Sequence, residues 1–186
     1  MAQFTLQEVV EATHGSCQLQ QELTLLDVST DTRTIEKDYL FVALKGDTFD
    51  GHDFIKTAIE KGATAAIVEK GRAVDGIFCV EVENTLVAYQ ELARYHRRRF
   101  DIPVVAITGS SGKTTTKDMV AAVLATQFNV LKTEKNFNNE IGLPKTLLKL
   151  TADHEACVVE MGMRGLGQIE ELALIAEPTI GIVTNV

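Results

Sequence analysis

A glycine-containing stretch between an apolar run and an amphipathic segment constrains this chain most. Residues 108–116 read Thr-Gly-Ser-Ser-Gly-Lys-Thr-Thr-Thr and directly follow the strand-like run 103–107. Gly109 and Gly112 permit turn conformations closed to other residues, and they let backbone N–H groups close around phosphate oxygens at a helix N-terminus. A strand, this loop, Lys-Thr and a helix in that order predict a phosphate-binding loop.

Within the loop, Lys113 is expected to lie on the outer phosphates of a nucleotide, and the Thr114 hydroxyl to reach Mg²⁺. The predicted nucleotide-binding residues are Thr108, Gly109, Ser110, Ser111, Gly112, Lys113, Thr114 and Thr115. The stretch departs from the general pattern G-x-x-x-x-G-K-[ST], because the residue five before Gly112 is Ile107. The alternative interpretation is a Gly/Ser turn before a helix capped by threonine.

A carboxylate, Glu160, ends another apolar run, 156–159. An acid at the carboxyl end of a buried strand, beside a phosphate-binding loop, is placed to hold the Mg²⁺ of a nucleotide, directly or through water. The alternative is a solvated carboxylate at a strand end.

The polar segment 135–144 follows a third predicted strand and contains Asn138 and Asn139. Amide side chains both donate and accept hydrogen bonds, so these residues suit a polar substrate. Helix capping is their alternative role, and Pro144 is expected to start the next helix.

The order of elements predicts an α/β fold in two units, 1–101 and 102–186. In the second unit, strands rich in Val and Ile alternate with helical segments, which favours a parallel sheet covered on both faces. Strands are predicted at 103–108, 129–133, 156–160 and 179–185, and helices at 113–127, 144–150 and 168–176. Ligands of such sheets bind beyond the carboxyl ends of the strands.

The first unit is predicted to be a smaller α/β domain. Thr5 and Glu8 form a capping box, so a helix is expected from Leu6 to near Gly15. Strands are predicted at 23–29, 39–44, 64–68 and 77–82, with helices near 54–59 and 86–96.

Three polar clusters are interpreted as following predicted strands of the first unit: Ser29–Arg33, Lys45–Asp47 and Asp50–Phe54. We expect them to converge on one face, with Arg33 or Lys45 toward an anionic group. Ordinary turns are the alternative. His52 is interpreted as a capping or loop histidine rather than a catalytic base.

Charge and hydropathy limit the function classes. A net charge of −8, from 18 basic and 26 acidic residues, disfavours nucleic-acid binding unless basic residues cluster. The cluster Arg97–Arg99 is interpreted as cations in a last helical turn rather than as a phosphate-binding patch. No unbroken apolar run exceeds seven residues, and the N-terminus lacks a secretory pattern, so we expect a cytoplasmic protein without a membrane partner.

Four segments resemble the Mur ligase family of peptidoglycan synthesis: TGSSGKTTTK (108–117), NFNNEIGLP (136–144), VVEMGMRGLGQI (158–169) and TNV (184–186). The first unit, with STDTR, FVALKGDTFDGHDFI and GATAAIV, is similar to the N-terminal domain of that family. The resemblance therefore covers the whole chain. The NNEIG-type segment favours the member that adds D-alanyl-D-alanine over those that add earlier amino acids.

The resemblance implies an N-terminal substrate domain followed by part of a phosphate-binding, parallel-sheet ATP domain. In the family, ATP phosphorylates the carboxylate of UDP-N-acetylmuramoyl-tripeptide, and the amine of D-alanyl-D-alanine attacks the acyl phosphate. Carried onto this chain, Lys113 and Glu160 are catalytic, and Thr114 and Glu160 hold Mg²⁺. The implied substrate-binding residues are Asn138 and Asn139 for the muramoyl part, and Ser29, Thr30, Arg33, Lys45 and Gly46 for the UDP end.

Family members continue past the TNV segment, so we expect this chain to be the N-terminal part of a ligase, inactive alone and monomeric at full length. One alternative is another Mur ligase or a ligase like folylpolyglutamate synthase. A second is a non-catalytic module that binds a nucleotide or a UDP-linked substrate. A third is a GTPase or small-molecule kinase that uses the loop.

Overall fold

The computed structural model describes residues 2–18, 22–46 and 48–186. The chain divides into two compact units, Met1–Leu92 and Ala93–Val186. The dividing point lies within the helix Thr85–Arg97, earlier than the predicted boundary after residue 101. Among the described residues, no helix is long and apolar enough to cross a membrane.

Unit 1 is built around a four-stranded sheet. Its elements are β1 (Phe4–Thr5), α1 (Leu6–Thr13), β2 (Thr24–Leu25), β3 (Asp27–Ser29), β4 (Tyr39–Val42), α2 (Ile55–Glu60), β5 (Ala65–Glu69), β6 (Phe78–Val82) and α3 (Thr85–Arg97). The main sheet has the order β3-β4-β5-β6 and is parallel throughout. Its buried core includes Phe41, Ile55 and Val68.

The predicted capping box of α1 is confirmed. The Thr5 hydroxyl accepts the Glu8 N–H at 3.1 Å, and the Glu8 carboxylate accepts the Thr5 N–H at 2.8 Å. The helix closes at His14, which adopts the left-handed conformation with φ of 51°. The predicted end near Gly15 is therefore correct to within one residue.

The prediction of one strand over 23–29 is wrong. The backbone forms two strands there, which belong to different sheets: β2 pairs antiparallel with β1, and β3 pairs parallel with β4. Between them, the Leu26 N–H donates to the Asp38 carbonyl at 2.8 Å. The apolar pattern continues through this change of partner, so periodicity alone does not reveal it.

Unit 2 contains a second parallel sheet. Its elements after α3 are β7 (Val104–Thr108), α4 (Lys113–Leu124), β8 (Val130–Lys132), α5 (Gly142–Leu147), β9 (Ala156–Glu160), α6 (Gln168–Ala176) and β10 (Ile180–Val183). The strand order is β10-β7-β9-β8, and every pairing is parallel. The predicted α/β fold with parallel sheets is thereby confirmed.

The centre of this sheet explains its continuous apolar runs. All residues of β9 are buried, as are the first four of β7. Val105, Ile107 and Val158 pack with Ala121 of α4. Alternate residues of a strand face opposite sides, so the remaining buried residues of these strands face away from α4. Because both faces of these strands are buried, their sequences are continuously apolar and do not alternate between apolar and polar residues.

The helix α5 begins at Gly142, so the prediction that Pro144 starts it is wrong. Pro144 lies in the first turn instead, where backbone N–H groups have no helical acceptor, and its missing N–H is tolerated there.

In the arginine cluster, Arg97 lies in the last turn of α3 as interpreted, whereas Arg98 and Arg99 lie beyond the end of the helix. Arg97 is buried and donates to the carbonyl oxygens of Ala176, Phe100 and Ile102. Arg98 pairs with Glu177, and the Arg99 guanidinium lies 5.0 Å from the centre of the Tyr95 ring. Arg97 and Arg98 therefore serve packing and ion pairing within unit 2.

Candidate active site

The phosphate-binding loop lies where predicted, between β7 and α4. Gly109 has a φ of 137° and Gly112 a φ of 78°, conformations that side-chain-bearing residues rarely adopt. Helix α4 starts at Lys113, and its N-cap residue, Gly112, has no side chain to cap it. The N-terminal backbone N–H groups of the twelve-residue helix α4 therefore adjoin the loop. Because these groups lack helical acceptors and carry the positive end of the helix dipole, they favour a bound anion there.

Lys113 folds back over this loop. Its Nζ donates to the carbonyl oxygen of Gly109 at 2.6 Å. The ammonium group is therefore held at the mouth of the loop, where phosphate oxygens would compete with the carbonyl for its protons.

Glu160 joins the loop to the asparagine segment. The Thr114 hydroxyl donates to Glu160 Oε2 at 2.9 Å, and Asn138 Nδ2 donates to Glu160 Oε1 at 2.8 Å. Glu160 is only 3% exposed. A buried carboxylate needs such donors, because its desolvation is otherwise unfavourable. The alternative of a solvated carboxylate at a strand end does not hold.

The donor set here fits a hard divalent cation. A carboxylate and a hydroxyl are oxygen ligands of the kind Mg²⁺ prefers, and Mg²⁺ usually takes only one or two protein ligands, with water and phosphate completing its shell. Across 2–18, 22–46 and 48–186 there is no cluster of three His, Cys, Asp or Glu residues that would hold a metal without a nucleotide.

A cavity of about 200 Å³ opens beside Lys113. Its lining is mostly polar and consists of Lys113, Asn138, Asn139, Glu140, Gly162, Met163, Arg164 and Gln168. Gly162 contributes through its lack of a side chain, since a Cβ there would lie 3.1 Å from the Asn138 amide. The lining therefore combines two cationic residues, one acidic residue and three amide residues next to the loop.

Asn138 and Asn139 take different roles in this region. Asn138 contacts Glu160, as described above. The Asn139 side-chain oxygen accepts the Gly142 N–H at 2.9 Å and so helps cap α5. Both line the cavity, so substrate contact remains a prediction for the pair.

The segment after β10 holds the other side of the loop. Thr184 donates through its N–H at 2.9 Å and through its hydroxyl at 3.1 Å to the Thr108 carbonyl. Ser110 donates its N–H to the Asn185 carbonyl at 2.9 Å, and its hydroxyl to the Asn185 side chain at 2.7 Å. Ser111 offers its carbonyl to the Thr184 hydroxyl, and Thr115 is exposed in the first turn of α4.

In unit 1, the first two predicted polar clusters follow neighbouring parallel strands, β3 and β4, at the same sheet edge. The third, Asp50–Phe54, forms a short 3₁₀ helix capped by Asp50. Ser29 contacts Asp31 and Thr34 within its own turn. The Arg33 side chain is 85% exposed and pairs with Asp31 at 2.6 Å. Local pairing accounts for these contacts, and a UDP-binding role stays a prediction.

In the second cluster, the backbone of Lys45 forms an isolated antiparallel β-bridge with Asp50, and the Gly46 N–H donates to the Phe49 carbonyl at 2.8 Å. Asp47 lies outside the described residues. Lys45 and Gly46 are exposed, and Thr30 is half-buried. The exposure of these residues leaves them accessible to a ligand, and ligand binding here stays a prediction.

Two known domain families match the chain. The first, described as "Mur ligase family, catalytic domain", matches residues 27–113, and the second, "Mur ligase middle domain", matches residues 107–186. The matches meet at the phosphate-binding loop and together run from residue 27 to the last residue. The chain belongs to the Mur ligase family.

This Mur ligase chain has relatives that span both units. It is 51% identical over 172 residues to the UDP-N-acetylmuramoyl-tripeptide–D-alanyl-D-alanine ligase of Synechocystis sp., covering 90% of this chain and 37% of the relative. MurF from Acinetobacter baumannii has a TM-score of 0.92 at 35% identity, over 97% of this chain and 40% of that one. MurF ligase from Thermotoga maritima in complex with ADP has a TM-score of 0.79 at 38% identity, over 86% and 37%.

The Mur ligase chain thus spans 37–40% of the length of these relatives. The sequence predicted the loop, Glu160 and Asn138, and the structure brings them together. Thr184 and Asn185 were not predicted as loop contacts. The predicted strand 179–185 includes both, whereas β10 ends at Val183, so both residues follow it at the sheet edge where the loop begins.

Proposed function

We propose that this chain binds the nucleotide and the muramoyl peptide in a ligase that adds D-alanyl-D-alanine to UDP-N-acetylmuramoyl-tripeptide with ATP. The Thr114–Glu160–Asn138 contact beside Lys113 carries the proposal, because it joins a phosphate-binding loop to a carboxylate and an amide at one place. The activity named for the Synechocystis relative and the ADP bound by the Thermotoga protein support it.

The loop would hold the ATP phosphates. Backbone N–H groups from Gly109 to Thr114 surround the start of α4, where the helix dipole favours negative charge. Thr108 and Thr115 flank this stretch. Lys113 would leave the Gly109 carbonyl and neutralise charge that develops on the transferred phosphoryl group.

Thr114 and Glu160 would hold Mg²⁺, since their oxygen atoms already meet at 2.9 Å. When bound, the ion would offset charge on the phosphate oxygens during transfer. Asn138 would keep the carboxylate oriented through its bond to Oε1.

The cavity beside Lys113 suits the carboxylate end of the muramoyl peptide. Lys113 and Arg164 supply positive charge, and Asn138 and Asn139 supply amide groups. An oxygen of that carboxylate would attack the γ-phosphorus, the bond to the bridging oxygen of ADP would break, and ADP would leave. The amine of D-alanyl-D-alanine would then attack the acyl carbon, release phosphate and lose a proton.

In unit 1, the edge formed by the turns after β3 and β4 would hold the UDP end. Its exposed cations, Arg33 and Lys45, suit a diphosphate. Ser29, Thr30 and Gly46 would contribute hydroxyl and backbone groups. We place the whole reaction in the cytoplasm, where its nucleotide substrates are found.

The proposal is tested by unfolding the chain with each ligand separately. A ligand at 100 times its Kd stabilises a folded protein by about 2.7 kcal/mol, provided that it binds only the folded state. We expect Mg²⁺-ADP and UDP-N-acetylmuramoyl-tripeptide each to raise Tm. Lys113→Met should abolish the response to Mg²⁺-ADP and weaken, without abolishing, the response to the UDP ligand, whose UDP end would still be held by unit 1.

Lys149→Met is the matched control, because Lys149 is a surface lysine of unit 2 that pairs with Glu134. It should respond to both ligands as the wild type does. No response of the wild type to either ligand would contradict the proposed function.

A further inference from the structure

A buried lysine lies one turn beyond Lys113 on α4. Lys117 is 4% exposed, and its Nζ donates to the Thr133 carbonyl oxygen at 3.1 Å. The Asp118 carboxylate lies 3.4 Å from the Lys117 Nζ and also binds Lys132. A buried ammonium group is unfavourable unless it is hydrogen-bonded. The position of Lys117 is therefore fixed by the carbonyl it reaches.

That carbonyl is available because the β8–β9 ladder changes at Thr133. The Thr133 N–H donates to the Val158 carbonyl at 3.0 Å, so a regular parallel ladder would next bond the Glu160 N–H to the Thr133 carbonyl. Instead, the Glu160 N–H donates to the Thr133 hydroxyl oxygen at 3.0 Å. The side chain replaces the main-chain acceptor, and the carbonyl accepts from Lys117.

Helix α4 is consequently attached to Glu160 by two routes. Thr114 donates to the carboxylate directly, whereas Lys117 acts through Thr133 on the backbone that carries it. Thr133 is fully buried, so neither of its bonds is exchanged for water. A carboxylate fixed at both its backbone and its oxygen atoms keeps one orientation toward the loop.

We propose that Lys117 and Thr133 are positioning residues that hold Glu160 in the orientation required to bind the Mg²⁺ of the nucleotide. Neither residue touches nucleotide or metal; both act through Glu160. This inference rests on the proposed function, which supplies the metal-bound nucleotide.

The test compares ADP affinity with and without Mg²⁺ in four variants of the chain. Thr133→Val removes the acceptor for the Glu160 N–H with little change in shape, and Thr133→Ser restores it. Lys117→Met removes the ammonium and keeps the apolar stem, and Lys132→Met is the control on the other side of Asp118. The ratio of the Kd for ADP without Mg²⁺ to the Kd with Mg²⁺ measures how much the metal strengthens binding. Relative to the wild type, we expect this ratio to fall about tenfold in Thr133→Val and Lys117→Met, and to stay within twofold in Thr133→Ser and Lys132→Met.

A second readout is independent of the nucleotide. The side-chain NH₂ resonances of Asn138 report its bond to Glu160 Oε1. They should move toward the values of a free amide in Thr133→Val and Lys117→Met, and remain unchanged in Thr133→Ser and Lys132→Met. A loss of stability alone would change Tm without moving these resonances in the folded protein.

The two readouts separate the possible failures. An unchanged metal dependence together with unchanged Asn138 resonances in both Thr133→Val and Lys117→Met would overturn the positioning role. If the wild-type chain bound ADP equally well with and without Mg²⁺, the proposed metal site would fail, and the Asn138 resonances would still decide whether Lys117 and Thr133 orient Glu160.

Discussion

Gly109 and Thr184 approach each other so closely that no side chain fits between them. A Cβ built on Gly109 would lie 2.4 Å from Thr184 Oγ1 and 2.8 Å from backbone atoms of Asn185. The φ of 137° at Gly109 is itself unsuited to other residues. The loop and the segment after β10 therefore depend on glycine for two independent reasons.

We predict that Gly109→Ala destabilises the chain by about 1–3 kcal/mol, the usual magnitude for a residue held in a strained backbone region. The loop should also lose affinity for Mg²⁺-ADP, because its path must change to relieve the contact with Thr184. Chemical denaturation and calorimetric titration measure the two effects.

Gly165→Ala is the control for this substitution. A Cβ built on Gly165 has no atom within 4 Å, and Gly165 has no positive φ. Gly165→Ala should therefore change the free energy of unfolding of the chain by less than about 0.5 kcal/mol. Equal effects of the two substitutions would show that the close approach at Gly109 is not what requires glycine.

His52 forms a buried pair with Asp50 in unit 1, and its side chain is only 2% exposed. Nε2 accepts the Glu69 N–H at 2.9 Å, so the proton lies on Nδ1, which donates to Asp50 Oδ1 at 2.6 Å. The backbone N–H of His52 and then its ring lower the pKa of Asp50 from 3.8 to about 2. His52 is interpreted from the sequence as a capping or loop histidine, and the structure places it in a short 3₁₀ helix, where its ring accepts a backbone N–H from β5.

We predict that His52→Phe raises the pKa of Asp50 only part of the way toward 3.8, because the ring is lost while the backbone N–H of residue 52 remains, and that it destabilises the chain by about 1–3 kcal/mol, since the Glu69 N–H loses its acceptor. The lowered pKa stabilises the fold above about pH 4, and this contribution is lost as the pH falls through 2. Carboxyl ¹³C shifts of Asp50 measure the titration. Asp53→Asn, at an exposed neighbour, should leave that midpoint in place.

The features predicted from the sequence share a local cause. The capping box of α1 needs only Thr5 and Glu8, and the phosphate-binding loop needs only adjacent residues between a strand and a helix. Both are set by interactions within a few positions of the chain. The position of Glu160 followed from one further rule, that the carboxyl ends of parallel strands meet at one edge.

The features that were missed depend on partners distant in sequence. At Leu26 the backbone passes from one sheet to another, and the apolar periodicity does not mark this point. Arg97 is buried and donates to carbonyl groups up to 79 positions away in sequence. Thr133 substitutes its hydroxyl for its own carbonyl in a ladder, which no pattern of residue types indicates. These contacts become visible only when the tertiary fold is known.

Arg97 leads to a prediction about stability. Its guanidinium donates to three carbonyl groups, at 3.2 Å to Ala176, 2.7 Å to Phe100 and 3.3 Å to Ile102. Arg97→Lys should destabilise the chain by about 1–3 kcal/mol, because an ammonium cannot reproduce the planar fork and leaves buried carbonyls unsatisfied. In urea denaturation, Arg99→Lys at the exposed neighbour should change the free energy of unfolding much less. An equal loss in both would refute a special role for Arg97.

We expect His96 to make unit 2 sensitive to mild acid. The ring is buried, and Nε2 lies 3.0 Å from the Leu150 carbonyl oxygen. Burial lowers the pKa of His96 from 6.5 to about 4, because the charged form is desolvated. The folded state therefore binds fewer protons than the unfolded state between these two pH values.

We predict that the free energy of unfolding is independent of His96 above about pH 6.5 and decreases as the pH falls toward 4, by a total on the order of 3 kcal/mol. His96→Gln keeps a donor for the Leu150 carbonyl and cannot titrate, so its stability should vary less with pH over that interval. Urea denaturation at several pH values measures the slope, with His154→Gln as a control at a less buried histidine. An identical slope in wild type and His96→Gln would show that other groups cause the acid sensitivity, because only the protonation of His96 is removed by that substitution.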